Sequence, residues 1–512
     1  MDPALKYAML LILLGWVIWD VFPVSSLVNA SPAKHDFGHC ERTVKKWASS
    51  SLDLEVKEDK HTLQDLLFFL HVPRTGGRTY FHCFLKRLYP SSLECPRSYD
   101  KLRFDPSKPN CRLLVTHDDY SMMSKLPREK TSVVTILRNP LDRVFSAYEF
   151  SVEVAARFLV HPNLTSAKQM ALRIRSKTKG VSTLDIWPWK YLVPWMRDDL
   201  FARRDARKDK GPNYVKGNDS YNMEEIVMPL HEYINDPIAR DIIHNGATFQ
   251  VAGLTNNSYL AEVHEVRHCV QKYQTLGAFV LEVAKKRLDN MLYVGITEDH
   301  KESATMFGNM VGAQVISQLM ASSSSMEGAA NNLSEQSTSF PDSKSDNSHH
   351  QDPNNSTGQE AGEIDSTIPS TENVETTKEN ITVGELMKSY EVCISSLRKT
   401  QSYRRTNSLK AISPANFSKE TRLQVPQMVL QQIISLNSLD VELYKYAQSI
   451  FAKQHKHFMR KLDTTDMQES IFDIAYDNPL WKVVSLAISL VCLLLLIFLI
   501  VNAKRRTSKL KI

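Results

Sequence analysis

The stretch LLFFLHVPRTGGRTYFHCFLKRLY, residues 66–89, decides the fold. An apolar run, Leu66–Val72, leads into Pro73-Arg74-Thr75-Gly76-Gly77-Arg78-Thr79, and Phe81, Phe84, Leu85 and Leu88 then fall on one side of a helix. Strand, glycine turn and helix in this order present several backbone N–H groups and a helix N-terminus to an anion. Gly76 and Gly77 permit close backbone approach, Thr75 and Thr79 carry hydroxyls, and Arg74 and Arg78 supply positive charge. The loop is not of the GxxxxGK[ST] triphosphate kind, because its glycines are adjacent and no Lys-Ser/Thr pair follows. Taken alone, it is either an anion cradle or a plain strand–helix turn.

Outward from this loop, Cys111–Thr116, Ser132–Leu137, Phe249–Leu254 and Met291–Ile296 are further short apolar runs. Runs of this length between helical stretches predict an α/β fold, a central parallel sheet flanked by helices with its ligand site beyond the strand C-termini. In SVVTILRNPLDRVFSAYEF, residues 132–150, a strand ends at Arg138, Asn139-Pro140 turns the chain, and a helix begins near Asp142. Arg138 and Ser146 can grip a second phosphate from one side, while Arg143 is as well read as a surface or ion-pair residue. Leu439, Leu443, Tyr446, Ile450 and Phe451 recur at helical spacing within Ser435–His457, with Asn437 or Ser438 as N-cap. No internal repeat is visible.

The chain has 512 residues, 63 basic against 57 acidic, 42% hydrophobic and 23% charged. These ordinary globular values exclude wholesale disorder and a polytopic membrane protein. The net charge of +6 is unevenly placed. Residues 502–512 hold five basic residues and no acid, residues 321–380 hold eleven acids against two lysines, and the body is left strongly basic. Segment 321–380, rich in Ser, Thr and Asn, is expected to be disordered, since it has too little apolar surface to offset its ordering entropy.

The two ends predict a compartment. Ala8–Trp19 behind Lys6, followed by Val28-Asn29-Ala30, reads as a cleaved signal peptide over 1–30. Val483–Val501 is free of charge and long enough at ~1.5 Å per residue to approach a ~30 Å hydrocarbon core. Trp481 on one side and the basic tail on the other orient it as a single type I span with a cytosolic tail at 502–512, and the five basic residues argue against a GPI signal. Between them lie a luminal segment 31–59, one folded domain over 60–320 and 381–465 interrupted by the insert 321–380, and a juxtamembrane segment 466–482. Cys40, Cys83, Cys95, Cys111, Cys269 and Cys393 fall on the luminal side, where six cysteines allow fifteen pairings, and Cys492 falls in the span. Sequons at Asn163, Asn218, Asn256, Asn332, Asn354, Asn355, Asn380 and Asn416 predict glycosylation. No Cys/His spacing suggests a metal, and none is expected.

The two phosphate-gripping segments together resemble those of Golgi sulfotransferases. HVPRTGGRT is similar to the 5′-phosphosulfate loop of the heparan sulfate 6-O-sulfotransferases, H-[IV]-P-K-T-G-G-T-[ST], and ILRNPLDRVFSAY to their 3′-phosphate segment. CRLLVTHDDY (111–120), LYVGITEDHKESATMF (292–307) and LNSLDVELYKYAQSIF (436–451) extend the likeness, in order, over most of the body. Two residues depart from the pattern: Arg74 stands where those glycan enzymes carry Lys, and Arg78 where they carry a small hydroxylic residue. A cleaved signal and a C-terminal anchor on such a body resemble the plant group of tyrosylprotein sulfotransferases.

The resemblance implies a P-loop-like sulfotransferase fold and a Golgi membrane enzyme with a luminal catalytic domain. The implied reaction moves a sulfuryl group from 3′-phosphoadenosine 5′-phosphosulfate (PAPS) to a tyrosine hydroxyl of secreted peptides, giving tyrosine O-sulfate and adenosine 3′,5′-bisphosphate. It implies His117 as the base, with Asp119 orienting or replacing it, and Arg74 stabilising the leaving phosphate. It implies donor binding by Arg74, Thr75, Gly76, Gly77, Arg78, Thr79, Arg138 and Ser146. A phenol of pKa ~10 needs such a base near neutrality. A strand-end histidine bonded to backbone is the plainer reading of His117.

Acidic Tyr-containing acceptors would suit a basic groove. The runs Lys168–Lys179 and Arg197–Lys210 read first as solvated faces and second as such a groove, and Trp187, Trp189 and Trp195 read as packing residues. No nucleic-acid partner is expected. A glycan sulfotransferase using the same donor, and a non-catalytic type I protein with a decayed nucleotide fold, are the alternatives.

Overall fold

Every residue of β1, Leu66–Leu70, is buried in the computed structural model of the chain, as a strand covered on both faces must be. The same holds for β2 (Leu113–Thr116), β3 (Thr131–Leu137) and β4 (Tyr293–Ile296). The structure describes residues 32–55, 61–95, 111–160, 221–222, 228–256, 258–260, 262–321, 381–409, 412–413, 422–477 and 479–508. β1 to β4 form one parallel sheet in the order β2-β1-β3-β4. The register pairs Leu70 with Thr116 on one side and Thr135 on the other, so β1, β2 and β3 end along the same edge. Each parallel crossover needs a connection over a face of the sheet, and helices such as Pro140–Val160 and Gly277–Asp289 supply it.

Four of the five expected strands are present, and the fifth, Phe249–Leu254, is not a strand. Its residues lie in a helix, Gly246–Val251, and the turn after it, where Gly253 takes φ +64°. A short apolar run reads equally as buried strand or buried helix. The choice is made from outside, because Asp440 accepts from the N–H groups of Ala247 (3.2 Å) and Thr248 (2.7 Å) and from the Thr248 hydroxyl (2.7 Å). That carboxylate caps the helix N-terminus, and the Arg143 guanidinium pairs with it at 2.8 Å. Arg143, placed by its sequence at a surface or in an ion pair, is a buried ion-pair residue at 1% exposure.

Three disulfides select one of the fifteen pairings: Cys40–Cys269, Cys83–Cys393 and Cys95–Cys111. The second ties the helical segment after the glycine loop to the Val383–Leu409 helix, which follows the insert. The expected helix within Ser435–His457 is present as Ser438–Asp477. The chain divides into two units after Ala447. The second unit continues this helix and contains the Pro479–Ser508 helix. In the latter the apolar side chains of Leu486, Leu490, Leu494 and Phe498 are all exposed. Among the described residues no helix is long and apolar enough to cross a membrane, the expected 483–501 span having described side chains only over 486–500.

The expected signal peptide, the insert beyond Ala321, both basic runs, the three tryptophans and every sequon but Asn256 lie outside the described residues. Asn256 donates its side-chain amide to Asp241, so the nitrogen that a glycan would modify is engaged in an internal bond.

Candidate active site

The glycine loop leaves β1 in a conformation that only part of its sequence favours. Arg74 has φ +69° and Gly76 φ +84°, so two left-handed residues bracket Thr75. Alternating hands turn successive backbone N–H groups toward one side and form an anion-binding concavity. Glycine takes this conformation freely, whereas at Arg74 it costs on the order of 1–2 kcal/mol. A Cβ at Gly76 would meet nothing nearer than Thr297 Cγ2 at 3.9 Å, so that flank is open. Gly77 is needed for a different reason, since a Cβ there would lie 2.6 Å from Nε2 of the buried His71 ring.

The Thr75 side chain is engaged within the loop. Its hydroxyl is buried and donates to the Val72 carbonyl at 2.8 Å. Its own carbonyl accepts from the Thr297 hydroxyl at 2.7 Å. Thr75 is therefore a loop-shaping residue. Arg78 and Thr79 sit half-buried in the first helical turn, Gly77–Tyr80, with the Thr79 N–H donating to the Gly76 carbonyl at 3.0 Å.

The two segments singled out in the sequence meet. Arg74 donates from Nε to Ser146 Oγ at 3.0 Å, and its guanidinium lies 4.4 Å from the Phe150 ring centre, one helical turn beyond Ser146. Arg138 donates to the Arg74 carbonyl at 3.2 Å. Burial and the charges of Arg74 and Arg422 lower the pKa of Arg138, while Asp142 and Glu298 raise it. Glu298, which the sequence reading did not single out, accepts from the Asn139 N–H (3.1 Å) and the Tyr444 hydroxyl (2.7 Å) and lies 3.9 Å from Arg138 Nε. Arg422 was missed as well. It bridges Asp142 and Glu149 on the helix face that carries Ser146.

His117 follows β2 directly, and its ring packs 4.2 Å from that of His71. Its Nδ1 lies 3.1 Å from the His71 carbonyl oxygen. A carbonyl only accepts, so Nδ1 carries the proton and Nε2 holds the lone pair in the neutral ring. Desolvation pulls the pKa of His117 from 6.5 down to about 4, and the bond to His71 opposes it. His71 is shifted down in the same sense, first by burial and then by the charges of His117, Arg74 and Arg78. Both rings are neutral near pH 7.

Asp119 has a separate task. It is fully buried and accepts from Ser121 N (3.0 Å) and Oγ and from Thr255 N (2.9 Å) and Oγ1 (2.6 Å), pinning the segment after His117 to the loop after the Gly246–Val251 helix. A carboxylate so occupied is a structural clamp. Burial raises its pKa and the Ser121 and Thr255 bonds lower it.

A parallel sheet whose edge carries an arginine–glycine anion cradle beside a neutral histidine is built for moving an anionic group. The chain matches the sulfotransferase domain family over residues 24–186, and the class of protein is thereby a sulfotransferase. It is 58% identical over 499 residues, 95% of this chain and 97% of the relative, to the protein-tyrosine sulfotransferase of Arabidopsis thaliana. The chain belongs to the protein-tyrosine sulfotransferase family. Sulfotransferases draw on an anionic sulfate donor, and the residues fit one. The cradle's flank at Gly76 is open, Arg74 bonds Ser146 while Arg138 bonds the Arg74 carbonyl, and among the described residues the buried Arg138 Nε has no hydrogen-bond partner.

Proposed function

We propose that the protein transfers a sulfuryl group from PAPS to tyrosine hydroxyls of acidic secreted peptides or proteins. The observation that carries this reading is the aim of His117. Its Nδ1–H is committed to the His71 carbonyl, so Nε2 is the nitrogen that carries the lone pair in the neutral ring. When bound, the donor supplies the sulfuryl group and a phosphate oxygen as leaving group. Nε2 takes the phenolic proton. A ring this weakly basic cannot ionise a phenol of pKa ~10 beforehand, so the proton leaves as the new O–S bond forms. Arg74 and the loop N–H groups face the charge that gathers on the leaving oxygen. Arg138 and Ser146 hold the 3′-phosphate and orient the nucleotide.

The test is to supply purified full-length protein with labelled donor and, in separate reactions, an acidic Tyr peptide, its Phe analogue and heparan. Label on the Tyr peptide alone supports the reading, and label on heparan alone replaces it with a glycan acceptor.

We further propose a type I Golgi membrane protein, with a signal peptide over 1–30, a span at 483–501 and glycans on the luminal sequons. The outward apolar face at Leu486–Ile500 and the disulfide-paired body support this, since disulfides persist in oxidising compartments. In sealed microsomes, protease should remove an epitope on the 502–512 tail and spare the body. Protection of the tail would reverse the orientation.

A further inference from the structure

Gln250 is a buried polar residue inside an apolar run, at 4% exposure. Its Nε2 lies 3.1 Å from the His71 carbonyl oxygen, 3.1 Å from that of His117 and 3.2 Å from that of Asp118. The His71 carbonyl is also the oxygen that receives the His117 Nδ1–H, at 3.1 Å. One amide nitrogen thus gathers the ends of β1 and β2, including the peptide that carries the base and the acceptor that sets the base's tautomer. Three acceptors face two N–H bonds, so at least one bond is shared. The amide orientation follows from the same contacts, because its oxygen would be repelled by three carbonyls.

The helix that carries Gln250 is held independently of the strands. Asn245 accepts from Leu439 N (2.9 Å) and Asp440 N (3.2 Å), its own N–H donates to Asn437 (3.1 Å), and Asp440 caps the first turn. The motif after the insert therefore sets the helix, and the helix delivers the amide to the strand ends.

We propose that Gln250 is the positioning residue for His117, holding the His71 and His117 peptides so that Nδ1–H meets the His71 carbonyl and Nε2 faces the acceptor hydroxyl. The proposal rests on His117 being the base. A displaced ring loses rate while the donor cradle, formed by other residues, stays intact.

The experiment uses the full-length protein and compares wild type, Gln250→Leu, His117→Ala and the double variant. For Gln250→Leu we expect kcat to fall by about 10- to 100-fold, a loss typical of a misplaced catalytic group. KM for PAPS and the Kd of adenosine 3′,5′-bisphosphate should stay within about twofold. The acid limb of the kcat profile should move toward higher pH as water reaches the loosened ring. Adding Gln250→Leu to His117→Ala should leave the residual rate unchanged. A wild-type kcat and acid limb in Gln250→Leu would overturn the proposal, and so would equal losses of donor affinity and kcat, which mark a general packing defect. Full activity in His117→Ala would instead remove the base assignment. Should Gln250→Leu not fold, Gln250→Glu, which keeps the shape and places a carboxyl oxygen against the carbonyls, is read by the same criteria.

Discussion

His117 and His71 are joined twice, by a bond from the His117 Nδ1 to the His71 carbonyl at 3.1 Å and by rings 4.2 Å apart. His71 in turn packs on Gly77 of the anion loop. His71 therefore lies between His117 and the glycine loop.

The pH behaviour of His117 follows from its environment. Its pKa is about 4 in the folded chain against 6.5 for a free side chain. The unfolded chain binds the proton more readily, so this group's contribution to stability is complete above pH ~6.5 and is lost as pH falls toward 4. Thermal melts should show a falling midpoint across that window, less steep in His117→Ala. The rate should hold roughly level from about pH 7 to 5, because the ring stays neutral there, whereas a rate that halves near pH 6.5 would contradict the burial argument. His117→Ala should reduce transfer to a small residual rate and still bind adenosine 3′,5′-bisphosphate.

Arg74 joins a cationic side chain to an unfavourable backbone. Arg74→Gly should match or exceed the wild-type melting temperature, since about 1 kcal/mol of left-handed strain is relieved, yet lose transfer by 100-fold or more, a magnitude of about 3 kcal/mol. Arg74→Ala should lose activity similarly without that gain in stability. Arg74→Lys keeps the charge and should keep most activity, at a raised KM for PAPS from losing the Nε bond to Ser146.

Gly77→Ala places a methyl against the His71 ring. Overpacking of this kind costs about 1–3 kcal/mol, readable as a lower urea midpoint with an unchanged slope. Activity should fall further than stability, because the ring that is pushed aside supports His117. Normal turnover in this variant would show that the loop and the base are uncoupled.

Asp440 and Arg143 are each about 1% exposed and paired at 2.8 Å. Asp440→Ala leaves Arg143 buried without its counter-charge and should destabilise by about 3–5 kcal/mol in denaturant titrations. Replacing both by apolar residues should recover part of that loss, although the helix cap on Ala247 and Thr248 stays missing. Equal destabilisation by the single and double variants would assign the whole effect to the cap.

Legibility in the sequence followed the range of the interaction. β1, β2, β3 and β4 were readable as apolar runs, and the Arg74–Gly77 loop as a glycine turn, because a few adjacent residues determine each. The helix at Gly246–Val251 was not readable, because its cap comes from Asp440, nearly two hundred residues away. By type alone the Thr75 hydroxyl can donate to many partners, and only the folded loop turns it onto Val72. Gln250 offered one faint sign, a polar side chain within FQVAGL, and Glu298 offered none beyond lying in a block of family likeness.

By itself, the sequence determined the alternation of strand and helix, the anion loop, the place of Arg138 and Ser146 after their strand, and the likeness to sulfotransferases. All of these rest on local patterning that does not depend on what packs against it. Only the tertiary structure decided which cysteines pair, that Phe249–Leu254 is helix and turn instead of strand, that Arg143 is buried, and which nitrogen of His117 bonds the His71 carbonyl. Each of those is settled by one partner distant in the chain, and the pairing of distant groups comes from shape and hydrogen-bond satisfaction in the packed interior, which no local stretch of residues records.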